Sequence, residues 1–179
     1  MDSIAKLDLV ALSVVKYPAP VLRHPSAEVT QFDQHLQALA DRMLEVMYAA
    51  GGVGLAAPQV GVPIRLFVYN PNTRPGEGEG VCINPRIVDP TRPVVKEEGC
   101  LSLPGVTCNV KRFTRLTLRA RDVAGEALEI QAEDLLAEIF QHETDHLNGM
   151  LLIDRMSPVA KLANRRTLRE LEESAREAG

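Results

Sequence analysis

Several things are scarce in this sequence, and each scarcity excludes a class of protein. No apolar run approaches the ~20 residues that a membrane-spanning helix needs. The N-terminus carries Asp2 and Asp8 and has no apolar stretch of signal-peptide length, which places the chain in the cytoplasm as an expectation. Basic charge is not in excess: 20 Lys and Arg stand against 24 Asp and Glu, a net charge of −4. A DNA or RNA binder would leave a basic footprint. Cysteine is rare and odd in number. Cys82, Cys100 and Cys108 make a poor disulfide framework and fit a reducing compartment. At least one of them is a candidate ligand or nucleophile. The sequence shows no internal repeat and no composition shift that would mark a domain boundary.

What is present is enough for one domain, expected to span residues 1–179, with a real core. Leu9 to Tyr17 is rich in Val and Leu, ends at Pro18 and Pro20, and predicts a strand. Phe32, Leu36, Leu39, Met43 and Met47 recur at helical spacing, with Thr30 and Asp33 placed like a capping box, so a helix is expected from about Gln31 to Ala49. Further strands are expected at Ile64 to Tyr69, Val81 to Val88 and Val94 to Glu97. Asn70 to Gly80 reads as a surface loop. Leu116 to Arg121 alternates apolar and polar residues, and the turn at Asp122 to Gly125 predicts a hairpin with Leu128 to Gln131. Helices are expected from about Glu133 to Asn148 and from the Ser157-Pro158 start. Strands through the first two-thirds and helices at the end give an α+β domain.

The chemistry concentrates in His142-Glu143-Thr144-Asp145-His146, an H-E-x-x-H sequence on a predicted helix. Histidines four apart lie one turn apart on one face, so both imidazoles reach one ion. Glu143 lies about 100° round the helix, where it stands beside the ion without ligating it. Leu135 and Ile139 extend the histidine stripe, so the histidines are expected to continue a buried face. By itself the motif is equally compatible with two ordinary core or surface histidines. The remaining histidines, His24 and His35, have no ligand-like neighbour, so a third ligand must come from elsewhere. Cys100, at the end of a predicted strand, is the best candidate. One thiolate and two imidazoles leave a coordination position open for water, the pattern of a catalytic site. Cys82 and Cys108 are taken as small buried hydrophobes.

Three segments together resemble the motifs of the peptide deformylase family. They are Gly52-Val-Gly-Leu-Ala-Ala-Pro-Gln59, Glu98-Gly-Cys-Leu-Ser102 and Gln141-His-Glu-Thr-Asp-His146, in the family order and at family-like separations. One departure is Thr144, where the family usually carries an apolar residue. The resemblance implies antiparallel sheets packed around a central metal-binding helix, with an N-terminal and a C-terminal helix. It implies that Cys100, His142 and His146 hold one divalent ion, Fe²⁺ in many members with Zn²⁺ or Ni²⁺ as substitutes. The activity it implies is removal of the formyl group from the N-terminal methionine of newly made proteins.

In that scheme Glu143 is general base and then acid. The Gln59 side-chain amide and the Leu101 backbone N–H meet the oxyanion. The peptide lies as an added strand near Val53, Gly54 and Gly99, with its methionine side chain near Leu135 and Ile139. Asp145 is either a support for the ligands, with Arg112 as its partner, or a solvated surface residue. Two rival readings remain. One is a metallopeptidase that takes its third ligand downstream, where Glu170, Glu172 and Glu173 lie in a charged helix. The other is a protein with a structural metal, for which the sequence offers no convincing fourth ligand. Near the C-terminus, Lys161, Arg165 and Arg169 recur every four residues. This stripe is either a solvated face laced by pairs such as Arg166–Glu170 and Arg169–Glu173, or, as the resemblance implies, a dock on the ribosome.

Overall fold

A computed structural model of the protein describes residues 4–177. Its frame is a five-stranded antiparallel sheet in sequential order: β1 (Gly54–Ala56), β2 (Leu66–Tyr69), β3 (Gly80–Cys100), β4 (Leu103–Arg121) and β5 (Ala127–Glu133). Helices are α1 (Gln34–Ala49), α2 (Asp134–Leu147), α3 (Leu152–Arg155), α4 (Pro158–Ala163) and α5 (Arg165–Glu177). The α+β class expected from the sequence is the class observed. No helix among the described residues is long and apolar enough to cross a membrane.

The sheet is more continuous than the sequence pattern implied. The expected strands at Val81 to Val88 and Val94 to Glu97 are one strand, β3, and the expected Leu116 strand is the end of the much longer β4. Register shifts after Ile83 and Val88 interrupt the ladder without ending it. Such bulges bend a strand and break its alternation, which hides one long strand as two short ones. β3 and β4 join through a turn of two residues, Leu101 and Ser102, with Cys100 opposite Leu103. The β4–β5 hairpin is as expected, pairing Arg121 with Ala127 through Arg115 with Glu133.

Helix α1 begins at Gln34, three residues later than expected. Asp33 is its N-cap and accepts hydrogen bonds from the His35 and Leu36 N–H groups. Its buried face is the expected one, carrying Leu36, Leu39, Met43 and Met47. Helix α2 buries Ala137, Ile139 and Phe140 against the sheet, where Phe140 meets Phe67 and Tyr69. It ends before Gly149, whose φ of 72° is the left-handed conformation that glycine supplies at low cost. The C-terminal helix starts as expected, with Ser157 capping and Pro158 first. It is then interrupted at Asn164, whose side-chain amide donates to the Thr107 and Ala160 carbonyls.

The expected strand from Leu9 to Tyr17 is not formed. This stretch runs as a strap with no ladder. Its N–H groups go to single carbonyls on separate elements: Val15 to Gln59 at 2.7 Å and Tyr17 to Ser102 at 2.9 Å. The Val- and Leu-rich composition signals burial, and here Leu9, Leu12 and Val14 pack, partly buried, against the core shared by α1, β1 and β2 without pairing to a neighbouring strand.

Candidate metal centre

Helix α2 and the β3–β4 turn meet to build the site. The i, i+4 spacing places His142 and His146 one turn apart with their Nε2 atoms 3.2 Å from each other. The turn carries Cys100 in from the sheet, its Sγ 3.3 Å from His146 Nε2. The three donor atoms lie within 4.8 Å of one another. A tetrahedral ion with bonds of about 2.0–2.1 Å to nitrogen and 2.3 Å to sulfur has edges of roughly 3.3–3.6 Å, so the observed spacings suit a common ion. Burial lowers both imidazoles, but hydrogen bonds that His142 donates to Cys100 and Glu98 overcome it there and hold that ring well above the usual histidine range. His146 is held well below it, by burial and by the His142 charge. Two such nitrogens cannot both direct protons at each other, whereas both can direct lone pairs at a cation. The centre is built for a divalent metal ion.

The surrounding charges orient the ligands. Glu98 Oε2 lies 3.0 Å from His142 Nδ1, which leaves Nε2 for the ion. Arg112 holds both Glu98 oxygens, at 2.7 and 2.9 Å, and reaches Asp145 at 2.6 Å. Arg155 grips Asp145 from the other side at 3.0 Å. Burial pushes the Glu98 carboxyl up, but the Arg112 and His142 hydrogen bonds and charges outweigh it and hold the group at about 2. Asp145 is therefore a buried support, the first of the two alternatives left open above, and Arg112 is its partner.

Glu143 stands next to this set. Its side chain is 4% exposed, and Oε2 is buried with no hydrogen-bond partner among the described residues. Burial pushes its carboxyl up to about 7, with the His142 and Arg112 charges pulling the other way. Strand β1 passes so close that a Cβ on Gly54 would lie 2.9 Å from the Glu143 carboxyl carbon. Only glycine leaves room for this carboxylate.

Gln59, fully buried, accepts from the Ala56 N–H at 2.9 Å through Oε1. Its Nε2 is thereby aimed at Ser102 Oγ, 3.1 Å away, and at Cys100 Sγ, 3.6 Å away. The Leu101 N–H forms no hydrogen bond among the described residues. A cavity of about 490 Å³ opens beside these groups. It is lined by Val53, Gly54, Gln59, Gly99, Cys100, Leu101, Leu135, Ile139, His142 and Glu143; His146, the remaining expected site residue, does not line the cavity but joins Cys100 and His142 in the donor set. One expectation needs correction. The stripe through Leu135 and Ile139 is not uniformly buried: Ile139 is buried, but Leu135 is 44% exposed at the cavity mouth.

The chain matches the family model described as Polypeptide deformylase over residues 11–162. The peptide deformylase of Thermodesulfovibrio yellowstonii is 46% identical over 151 residues, which are 84% of this chain and 92% of that protein. The chain belongs to the peptide deformylase family. The chloroplastic peptide deformylase 1B of rice, Oryza sativa subsp. japonica, is 44% identical over 93% of this chain. The chain spans only 63% of that relative's length. Among solved structures, peptide deformylase 1B of Arabidopsis thaliana superposes with a TM-score of 0.89 at 43% identity, covering 93% of each chain.

The deformylase motifs contained two residues whose function the sequence reasoning missed. Glu98 lies two residues before Cys100, and residues two apart in a strand share a face. That was a usable signal that it sits by the ligand. Ser102, fully buried, has no role in the sequence reading beyond its place in the second motif, and nothing local marks it as the Gln59 partner. At the departure from the deformylase motif, the Thr144 hydroxyl is buried with no hydrogen-bond partner among the described residues.

Proposed function

We propose that this chain carries out the family reaction, hydrolysis of the formyl amide on the N-terminal methionine of new proteins, with Fe²⁺ as the resident ion and Zn²⁺ or Ni²⁺ as substitutes. The observation that carries this reading is a buried, unpartnered Glu143 carboxylate beside a three-donor centre in a lined cavity. Cys100, His142 and His146 hold the ion. When bound, the ion supplies the Lewis acidity that activates water and polarises the formyl oxygen.

Glu143 takes the water proton as oxygen adds to the formyl carbon. The same carboxyl then delivers that proton to the departing nitrogen as the C–N bond breaks, giving formate and a free amine. A carboxyl poised at about 7 suits both directions of transfer near neutrality. Gln59 Nε2 and the Leu101 N–H receive the developing oxyanion. The outer edge of β1 and the part of β3 beyond its pairing with β2 offer unpaired backbone near Val53, Gly54 and Gly99 for an added peptide strand. Ile139 and Leu135 receive the methionine side chain.

The three free cysteines suit a reducing compartment, and we place the protein in the cytoplasm. We further propose that the exposed basic residues Lys161, Arg165 and Arg169 dock on the ribosome. They belong to two consecutive helices rather than one, and Arg169 is paired with Glu173.

The test compares an N-formylmethionyl tripeptide with a blocked internal peptide. Formate release from the first and no cleavage of the second is expected; the reverse supports a metallopeptidase. Glu143→Gln should keep the ion and lower kcat by about 10²–10⁴. A metal-loaded variant with parental kcat removes Glu143 from the mechanism.

A further inference from the structure

Three successive residues of the strap that replaces the expected first strand bond to Gln59 and to the β3–β4 turn. Val15 N–H donates to the Gln59 carbonyl at 2.7 Å, Lys16 Nζ to the Leu101 carbonyl at 2.7 Å, and Tyr17 N–H to the Ser102 carbonyl at 2.9 Å. The acceptors are the two residues assigned to the oxyanion and the residue that receives Gln59 Nε2. Lys16 is exposed and forms no ion pair with any described residue. A surface lysine ordinarily spends its charge on water or a carboxylate. This one is bonded to a neutral carbonyl 85 residues away.

We infer that Lys16 is a positioning residue for the oxyanion donors, acting through the Leu101 peptide. The inference rests on the reading that Gln59 and the Leu101 N–H meet the oxyanion. Leu101 and Ser102 form the whole turn between β3 and β4, so no strand ladder fixes them. Only the φ and ψ of Leu101 separate its N–H from its carbonyl. A charge-assisted bond to that carbonyl, with the next carbonyl held by Tyr17, limits the tilt of the N–H on the other side. Donors act at 2.7–3.1 Å from an oxyanion, so a small tilt matters in the transition state more than in the bound substrate.

The experiment compares Lys16→Met, which keeps the apolar stem and loses the donor, with Lys16→Arg, which keeps a charged donor. Gln59→Ala and the Lys16→Met/Gln59→Ala double variant complete the set. Readouts are kcat and KM on a formylmethionyl tripeptide, metal content and thermal midpoint. Lys16→Met should lower kcat by about 5- to 20-fold, less than the ~10²–10³ of losing a donor outright, with KM, metal content and midpoint unchanged. Lys16→Arg should recover most of the loss. The double variant should fall short of the product of the two single effects, because both act on one oxyanion. Parental kcat in Lys16→Met overturns the inference, as does a loss that tracks unfolding and that Lys16→Arg does not recover. If Gln59→Ala itself keeps parental kcat, the oxyanion reading fails and takes this inference with it. If Gln59→Ala is impaired and Lys16→Met is not, only the role of Lys16 fails.

Discussion

Arg112 and Arg166 each hold a glutamate, at 2.7 and 2.8 Å, yet the two pairs stand in opposite surroundings. The Arg112 side chain is 2% exposed and its partners Glu98 and Asp145 are 10% and 12% exposed. The Arg166 side chain is 91% exposed, and helix α5 has no buried residue among those described. Near the metal centre, charges removed from water must be fully paired, and breaking one pair strands the others. On α5, water and salt stand in for either partner, so the same bond is worth little. Identical chemistry therefore holds helix α2 in place in one region and decorates a solvated face in the other.

The largest effect should come from breaking the buried network. Arg112→Ala leaves Glu98 with only His142 and Asp145 with only Arg155, and should destabilise the fold by about 3–5 kcal/mol. Denaturant unfolding measures this, and a loss under about 1 kcal/mol would put Arg112 in the same class as Arg166.

A smaller, pH-resolved effect sharpens the comparison. The folded protein holds the Glu98 carboxyl at about 2, below its usual 4.5. A depressed carboxylate stabilises the fold above its unfolded pKa and loses that contribution as pH falls toward the folded value. The metal-free parent should therefore lose up to about 3 kcal/mol through Glu98 between roughly pH 4.5 and 2. Glu98→Gln should show a shallower decline across that window. Parallel curves for the two proteins would mean that Glu98 is not the group that titrates.

The smallest effect belongs to the C-terminal face. Lys161→Glu, Arg165→Glu and Arg169→Glu together should shift stability by no more than about 1 kcal/mol per lost pair and leave tripeptide turnover at the parental rate. If the stripe docks on ribosomal RNA, co-sedimentation of the parent with ribosomes should be salt-sensitive and the variant should lose it. A folded variant that pellets as the parent does would leave the stripe a solvated face.

The same division explains how much could be read from the sequence. The histidine pair was legible because helix geometry alone sets its spacing, four residues within one element. Cys100 was legible through the motif around it, as a distant strand end that the fold brings to 3.3 Å from His146 Nε2. The α1 and α2 faces followed from periodicity, and the Arg166–Glu170 and Arg169–Glu173 pairs from i, i+4 spacing, which the structure repeats. Most other contacts between distant segments were not legible, and the Arg112–Asp145 pair was only one of two alternatives for Asp145. The strap from Leu9 to Tyr17 carries a strand-like pattern, but its partners at Gln59, Leu101 and Ser102 are fixed only by the folded chain. The exposure of Leu135 escaped because the helical stripe continues past the edge of the core into the cavity mouth. The break at Asn164 depends on the Thr107 carbonyl, which no local pattern announces.

The most direct test of the central claim is the metal content of anaerobically purified protein, parent against Cys100→Ala, measured alongside deformylation of a formylmethionyl tripeptide. The account predicts one equivalent of divalent ion and turnover in the parent, and loss of both in the variant. A Cys100→Ala protein that keeps a full equivalent of metal and parental turnover would contradict it.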